Sequence, residues 1–353
     1  MSDHTTAELT VSDATATATS ANPSQSDSFS KVRKAIQSLS TILPSIPPSL
    51  SSSSNPSFSL LHDPEISTHI SALLRRSSAG AGDDNLCRWL YEAFQSGDPG
   101  LHLVVLRYIP LLAGAYLSRA TLRRPLAGFE AVLLALYAHE TTSRAGQPVT
   151  VNVPDVFLPS LYHEPTSPAK SNSTTLNLAV VSPTLEPHGT VRATRRARIV
   201  GVALELYFGK INEMPKSSKI DFCEFCTVWA GDRDGHHNLR SDPSQVGDTD
   251  GGDEVELGTH IPLPWELLQP ILRILGHCVM GRWANDKEVF DAAKEACRSL
   301  HVRAMHDINA KAILATESLI RLGNNMCFEM ELPNGNGCVD PHEIPTTNVI
   351  TLN

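Results

Sequence analysis

The stretch Leu101–Pro165 most constrains what this chain can fold into. It begins LHLVVLRYIPLLAGAYL, turns through SRATLRRP and continues AGFEAVLLALYAHE. The first and third pieces are apolar on nearly every face, and helices of that kind lie inside a bundle rather than on its surface. The chain then leaves helical periodicity as PVTVNVPDVFLPSLYHEP. Two such helices need others to cover them, and the remaining sequence supplies amphipathic segments divided by polar loops. The expected fold class is all-α: a single helical bundle-like domain with one short two-stranded β-ribbon and disordered tails and loops.

In chain order, residues 1–28 hold almost no large apolar side chain and read as a disordered tail. Phe29–Leu43 has helical spacing, and PSIPPSLSSSSNPS follows as a Pro/Ser linker. Asp63–Arg76 is a second helix starting at Asp63-Pro64, and Asp84 caps a third that ends at Gly97. Pro99 suits a first helical turn, whereas Pro110 predicts a kink or break near Leu106–Pro110. Arg107 is the one strong charge in that helix. The rise of two antiparallel helices sets it nearer Glu140 than Glu130, and its alternative is to snorkel to solvent.

Val149–Phe157 alternates weakly and predicts a strand, with the alternating CFEMEL of Cys327–Leu332 as its partner. Thr166–Pro187 reads as a mobile Ser/Thr/Pro loop. Helices are expected over Thr190–Gly209, Ser218–Ala230, Pro264–Met280, Asn285–His301 and Ala304–Leu322. The domain runs over 29–333, with an acidic insertion at 232–258 and a tail at 334–353. No repeat at 33–47 residues supports a solenoid.

The net charge is −9, and the insertion alone sets eight acids against two arginines. The rest is near neutrality, which suits nucleic-acid binding poorly. Leu101–Leu117 is 17 residues long and contains Arg107 and Pro110. A spanning helix needs about 20 apolar residues, so no transmembrane span is expected. The polar start MSDHTTAELT is not a signal peptide. Seven cysteines scattered through core-like helices fit reduced thiols in the cytosol.

Candidate chemistry is sparse. Cys223 and Cys226 form a CxxC, but zinc needs four ligands, no second pair accompanies it, and Phe222, Phe225 and Trp229 surround it. It reads as core. His163-Glu164 lacks the second histidine of a zincin, position 167 being serine, and the bland reading is a structural loop. The acidic loops fail the calcium pattern. No metal, cofactor or catalytic set is expected. Arg192, Arg195, Arg196 and Arg198 crowd a helix start and are either solvated surface or a docking patch for an acidic partner or anionic lipid. Ser167-Pro168 and Ser182-Pro183 are candidate proline-directed phosphorylation sites.

Four stretches resemble the hyccin family: LHLVVLRYIPLLAGAYL, FEAVLLALYAHE, the segment from Val153-Pro154 to Pro159-Ser160-Leu161-Tyr162-His163-Glu164-Pro165, and HIPLPWELLQPIL through to CFEMELP. The signature loop PSLYHEP is the most specific. The resemblance implies a non-enzymatic helical subunit of a plasma-membrane complex. That complex holds a tetratricopeptide-repeat scaffold, phosphatidylinositol 4-kinase type III alpha and a peripheral membrane anchor protein. The subunit would bind and stabilise the scaffold and support phosphatidylinositol 4-phosphate production. Its place would be the cytosol and, through its partners, the plasma membrane. The acidic insertion and Ser-rich N-terminus look like departures from the animal pattern. The other readings are a generic helical adaptor with unrelated partners, and a hydrolase or transferase using His163 and Glu164.

Overall fold

The computed structural model describes residues 23–331 except 44–45, 48–49, 51, 123, 125, 155–175, 188–194, 232–263 and 282–285. These residues form twelve helices and two strands: α1 Pro23–Leu39, α2 Pro56–His62, α3 Pro64–Arg75, α4 Asn85–Gln95, α5 Pro99–Arg107, α6 Ile109–Thr121, α7 Ala127–Ser143, β1 Val149–Pro154, β2 Leu176–Ser182, α8 Arg196–Gly209, α9 Lys216–Ala230, α10 Trp265–Met280, α11 Lys287–His306 and α12 Ala310–Glu331.

One device starts several of the helices. An Asn or Asp caps the first turn, and a proline whose missing N–H costs nothing there follows it. Asn55-Pro56, Asp63-Pro64 and Asp98-Pro99 do this for α2, α3 and α5. Their side chains accept from Phe58 N, Ile66 N and Leu101 N at 3.2, 2.8 and 2.9 Å. Asp84 caps α4 through Leu86 N and Cys87 N, and Gly97 follows that helix at φ +70°. Pro110 breaks the first apolar run as expected. Helices α5 and α6 are bent by 47° at Tyr108.

Helices α5, α6 and α7 are the centre. Leu101, Val104, Val105, Ile109, Leu112, Tyr116, Phe129, Val132, Leu133 and Leu136 are wholly buried. Helices α4 and α8 cover α7, α9 covers α6, and α9 packs most extensively on α11. Helix α1 joins the core through Val32, Ile36 and Leu39, and Trp89 Nε1 donates to Ala35 O at 2.8 Å. Pro270, inside α10, lacks the N–H that the Glu266 carbonyl would accept. Gly201 of α8 lies against that carbonyl, and a Cβ there would come within 2.7 Å of it.

Several expectations need correction. Cys327–Leu332 is not the strand that pairs with β1, because α12 continues through Glu331. The partner is β2, antiparallel, with Val151 opposite Ala179 and Asn152 opposite Leu178. It lies within the segment read as the Thr166–Pro187 loop. LNLAVVS alternates as a strand should, but its Ser/Thr/Pro flanks hid it. The first helix starts at Pro23 rather than Phe29, and α2 starts at Pro56, within the last two residues of the Pro/Ser linker, and runs on to His62. The turn between the last two helices falls at Asp307–Asn309, so α11 is longer than expected and α12 starts later. The acidic insertion at 232–258 and the tail at 334–353 lie outside the described residues.

Arg107 meets neither Glu140 nor solvent. It is buried, and its Nη1 donates to Leu61 O at the end of α2 while Nη2 donates to Ser217 Oγ at 3.0 Å. Ser218 Oγ donates to the Arg107 carbonyl at 2.6 Å. The bend at Tyr108 turns the end of α5 toward α2 and the start of α9, and straight-helix geometry could not foresee that.

Candidate functional site

The signature loop residues Pro159, Tyr162, His163, Glu164 and Pro165, and Ser167, lie outside the described residues. Their anchors are described. The chain leaves β1 at Pro154 and returns at Leu176, and the ribbon's base is tied to the end of α7. There Leu185 N donates to Gly146 O at 2.9 Å and Tyr137 OH donates to Glu186 O at 3.3 Å. Ser182 stands at this base, 1% exposed, and accepts from Arg144 Nη1 at 2.9 Å. Arg144 also pairs with Glu140 at 3.6 Å and Glu205 at 3.8 Å. Burial holds the Glu205 carboxyl above the usual carboxylate range, against the pull of Ser182, Arg144, Arg198 and Arg273. A kinase would reach the Ser182 hydroxyl only after the ribbon opens.

Of the four arginines, Arg192 lies outside the described residues and the other three gather at the start of α8. Arg195 pairs with Glu186. Arg196 faces Glu130 at 4.0 Å and lies over the Tyr116 ring at 6.0 Å, while Tyr116 OH donates to Glu130 at 3.0 Å. Arg198 is buried and donates to the carbonyls of Pro183 and Thr184 at 3.0 and 2.9 Å. The three hold the return from β2 and the centre of the bundle to α8. The two carboxylates offset the unfavourable placement of positive charge at a helix N-terminus.

The CxxC lies on the buried face of α9, where the tertiary structure adds what spacing could not. Cys278 of α10 and Cys297 of α11 are buried in the same core as Cys223 and Cys226. All four are free thiols, 1% exposed or less. Among the described residues no group of three or more His, Cys, Asp or Glu has the geometry to hold a metal ion. Nearby, α8, α10 and α12 line an open groove of about 400 Å³ with Phe208, Leu272, Arg273, Gly276, His277, Met280, Gly281 and Leu319. The Arg273 guanidinium stacks over Phe208 at 4.3 Å. Burial, with the Lys219 ammonium adding to it, holds His277 below the usual histidine range, so a mostly neutral ring faces this site at pH 7. The groove can seat an apolar or planar side chain.

Two of the surfaces among the described residues gather exposed apolar side chains. On the ribbon, Val149, Val151 and Val153 share one face and Leu178 and Val180 the other, all exposed. At the α11–α12 turn, Val302, Met305 and Ile308 form an exposed ridge, with Ile308 85% exposed. Ile308 N donates to Met305 O at 3.2 Å and Asn309 N to Ala304 O at 3.0 Å. This is a Schellman closure with isoleucine, at φ +52°, where glycine is usual. A β-branched residue in that conformation is strained, and its side chain gains nothing within the domain. Position 308 holds isoleucine where Gly or Asn would mark such a turn, so the ridge is not legible in the sequence.

Compared with models of known families, the chain matches the one described as hyccin across residues 51–335. The match covers every described element from α2 to α12.

Proposed function

This chain belongs to the hyccin family, and from that membership we propose that it is a non-catalytic stabilising subunit. It binds a tetratricopeptide-repeat scaffold and so helps bring phosphatidylinositol 4-kinase type III alpha to the plasma membrane. The family match, which spans α2 to α12, carries this reading. The uncovered ridge Val302-Met305-Ile308 and the exposed faces of the ribbon support it, since contiguous exposed apolar side chains mark interaction surfaces. A permanent complex commonly buries about 2,000 Å² or more.

Membrane attachment comes through partners, including a peripheral anchor protein bound indirectly. Among the described residues no single helix is long and apolar enough to cross a membrane. The bent pair α5–α6 would pass by composition, but its apolar side chains fill the core. The protein then divides between cytosol and plasma membrane according to scaffold occupancy.

The test is affinity purification of the chain from its own cells, with plasma-membrane phosphatidylinositol 4-phosphate imaged in cells lacking it. Scaffold and kinase should co-purify, and the lipid pool should fall. Failure of both to co-purify, with an unchanged pool and no paralogue to compensate, overturns the proposal. Met305→Glu with Ile308→Glu should weaken scaffold capture at least tenfold with an unchanged melting temperature. Capture at wild-type strength would remove the ridge from the interface.

A further inference from the structure

Helix α1 precedes the residues that match the family, yet its inner face belongs to the core. Val32, Ile36 and Leu39 are buried, and the helix lies against α2 and α4. Besides the bond from Trp89 to Ala35, it is tied by the Ser28 hydroxyl, which donates to Asp98 Oδ2. Asp98 is 3% exposed, and its other oxygen accepts from Leu101 N at 2.9 Å as the cap of α5. A hydroxyl of α1 thus bonds to a buried carboxylate that starts a different helix. Ser28 itself is half-buried, with Asp27, Phe29 and Ser30 exposed around it. Lys31, Arg33 and Lys34 follow three, five and six residues later, all exposed. A kinase with an acidic substrate cleft selects a serine by such a charge pattern.

We propose that Ser28 is a phosphorylation site for a kinase that selects basic residues C-terminal to its target, and that the phosphate releases α1 from the domain. Helix ends fray, and fraying at the start of α1 presents the hydroxyl to the kinase. In the transfer the Ser28 oxygen attacks the γ-phosphorus of ATP. The new O–P bond forms, the bond to the bridging oxygen breaks, ADP departs, and the hydroxyl proton passes to the base of the kinase.

The phosphoserine carries about −1.5 to −2 charge at pH 7, and its ester oxygen has no proton to donate to Asp98. Two negative groups then face each other where one of them is shut away from water. Local charge offsets little of this. Ser28 is the sixth residue of α1, past the first turn in which a helix N-terminus favours an anion. Lys31 stands at i+3 and is exposed, and pairs of that kind are weak. Burial holds His102, one turn on from Asp98, below the usual histidine range, so its ring is mostly neutral at pH 7. Release of α1 uncovers Trp89 and the apolar surface under Val32, Ile36 and Leu39.

The experiment uses the full chain, purified without phosphate and incubated with ATP and the catalytic domain of protein kinase C, with sites mapped by mass spectrometry. Ser28 should be a principal site. Hydrogen exchange of the peptide over residues 29–43 should then accelerate by about tenfold or more, while peptides of α5–α7 stay protected. Ser28→Glu should accelerate it in the same direction, and Ser28→Ala, which loses the bond without adding charge, should do so less. Asp98→Asn keeps an acceptor for Leu101 N and removes the repelled charge, so in the Ser28→Glu background it should restore protection of α1. A bond that is merely structural would show no such rescue. Phosphate confined to other serines overturns the proposal. So does full phosphorylation of Ser28 with exchange of α1 unchanged, and so does failure of Asp98→Asn to rescue while circular dichroism shows the protein folded. If the double variant fails to fold, exchange in the phosphorylated unmutated chain decides the matter by itself.

Discussion

Replacing Arg107 by Met tests how the centre of the bundle is held. Arg107 is 4% exposed, and its guanidinium joins three elements: α5, which carries it, α2 through Leu61 O, and α9 through Ser217. Methionine is of similar length and fills the space without the charge. The loss is two charge-assisted hydrogen bonds, each worth about 1.5–3 kcal/mol, and the Leu61 carbonyl left buried at about 1–3 kcal/mol more. The favourable position of a cation at the end of α5 adds about 0.3–1 kcal/mol.

Against this stands the relief of burying a charge. Burial lowers the Arg107 pKa, while Asp221 and Asp63, acting at longer range, pull the other way. The relief is worth several kcal/mol, so the net destabilisation should be about 2–4 kcal/mol. For a domain of this size that is roughly 5–10 °C in melting temperature. Urea unfolding of the full chain, followed by circular dichroism, measures it. Ser217→Ala removes one of these two bonds and should cost about 1.5–3 kcal/mol. If Arg107→Met proves as stable as wild type, or more so, desolvation outweighs the hydrogen bonds and the reasoning fails.

Gly80→Ala should destabilise by about 2–4 kcal/mol, because φ is +86° and the added Cβ would overlap the buried Phe129 ring; a change below about 0.5 kcal/mol in the same unfolding assay would mean that the loop shifts freely. Burial lowers the Lys219 pKa from 10.5 to about 8, so between those values the unfolded chain binds the extra proton and stability rises with pH. The stability of wild type relative to Lys219→Met should therefore increase from pH 8 to 10.5 in parallel denaturation series, and parallel curves would count against a buried ammonium. Purified protein should carry no stoichiometric zinc by elemental analysis, and zinc lost together with folding on mutating both Cys223 and Cys226 would refute the reading of that pair as core.

Much of the fold was legible because its signals are local. Asp63-Pro64, Asp84 and Asp98-Pro99 start helices through bonds to backbone only two or three residues ahead, and Pro110 breaks one by lacking its own N–H. The all-round apolar character of α5–α7 needs no knowledge of their neighbours. The signature loop pointed to the family, and a match over residues 51–335 shows it. The tertiary structure decided what depends on groups far apart in the chain. Arg107 finds Leu61 and Ser217, 46 and 110 residues away. Arg198 turns inward to the carbonyls of Pro183 and Thr184. β1 pairs with β2, because alternation is a property that several segments share and packing chooses among them. Ile308 could not be foreseen at all, since the fold places it against its own backbone preference. Local chemistry is written in neighbouring residues, whereas partners across the core are selected by shape and by the need to satisfy every buried polar group.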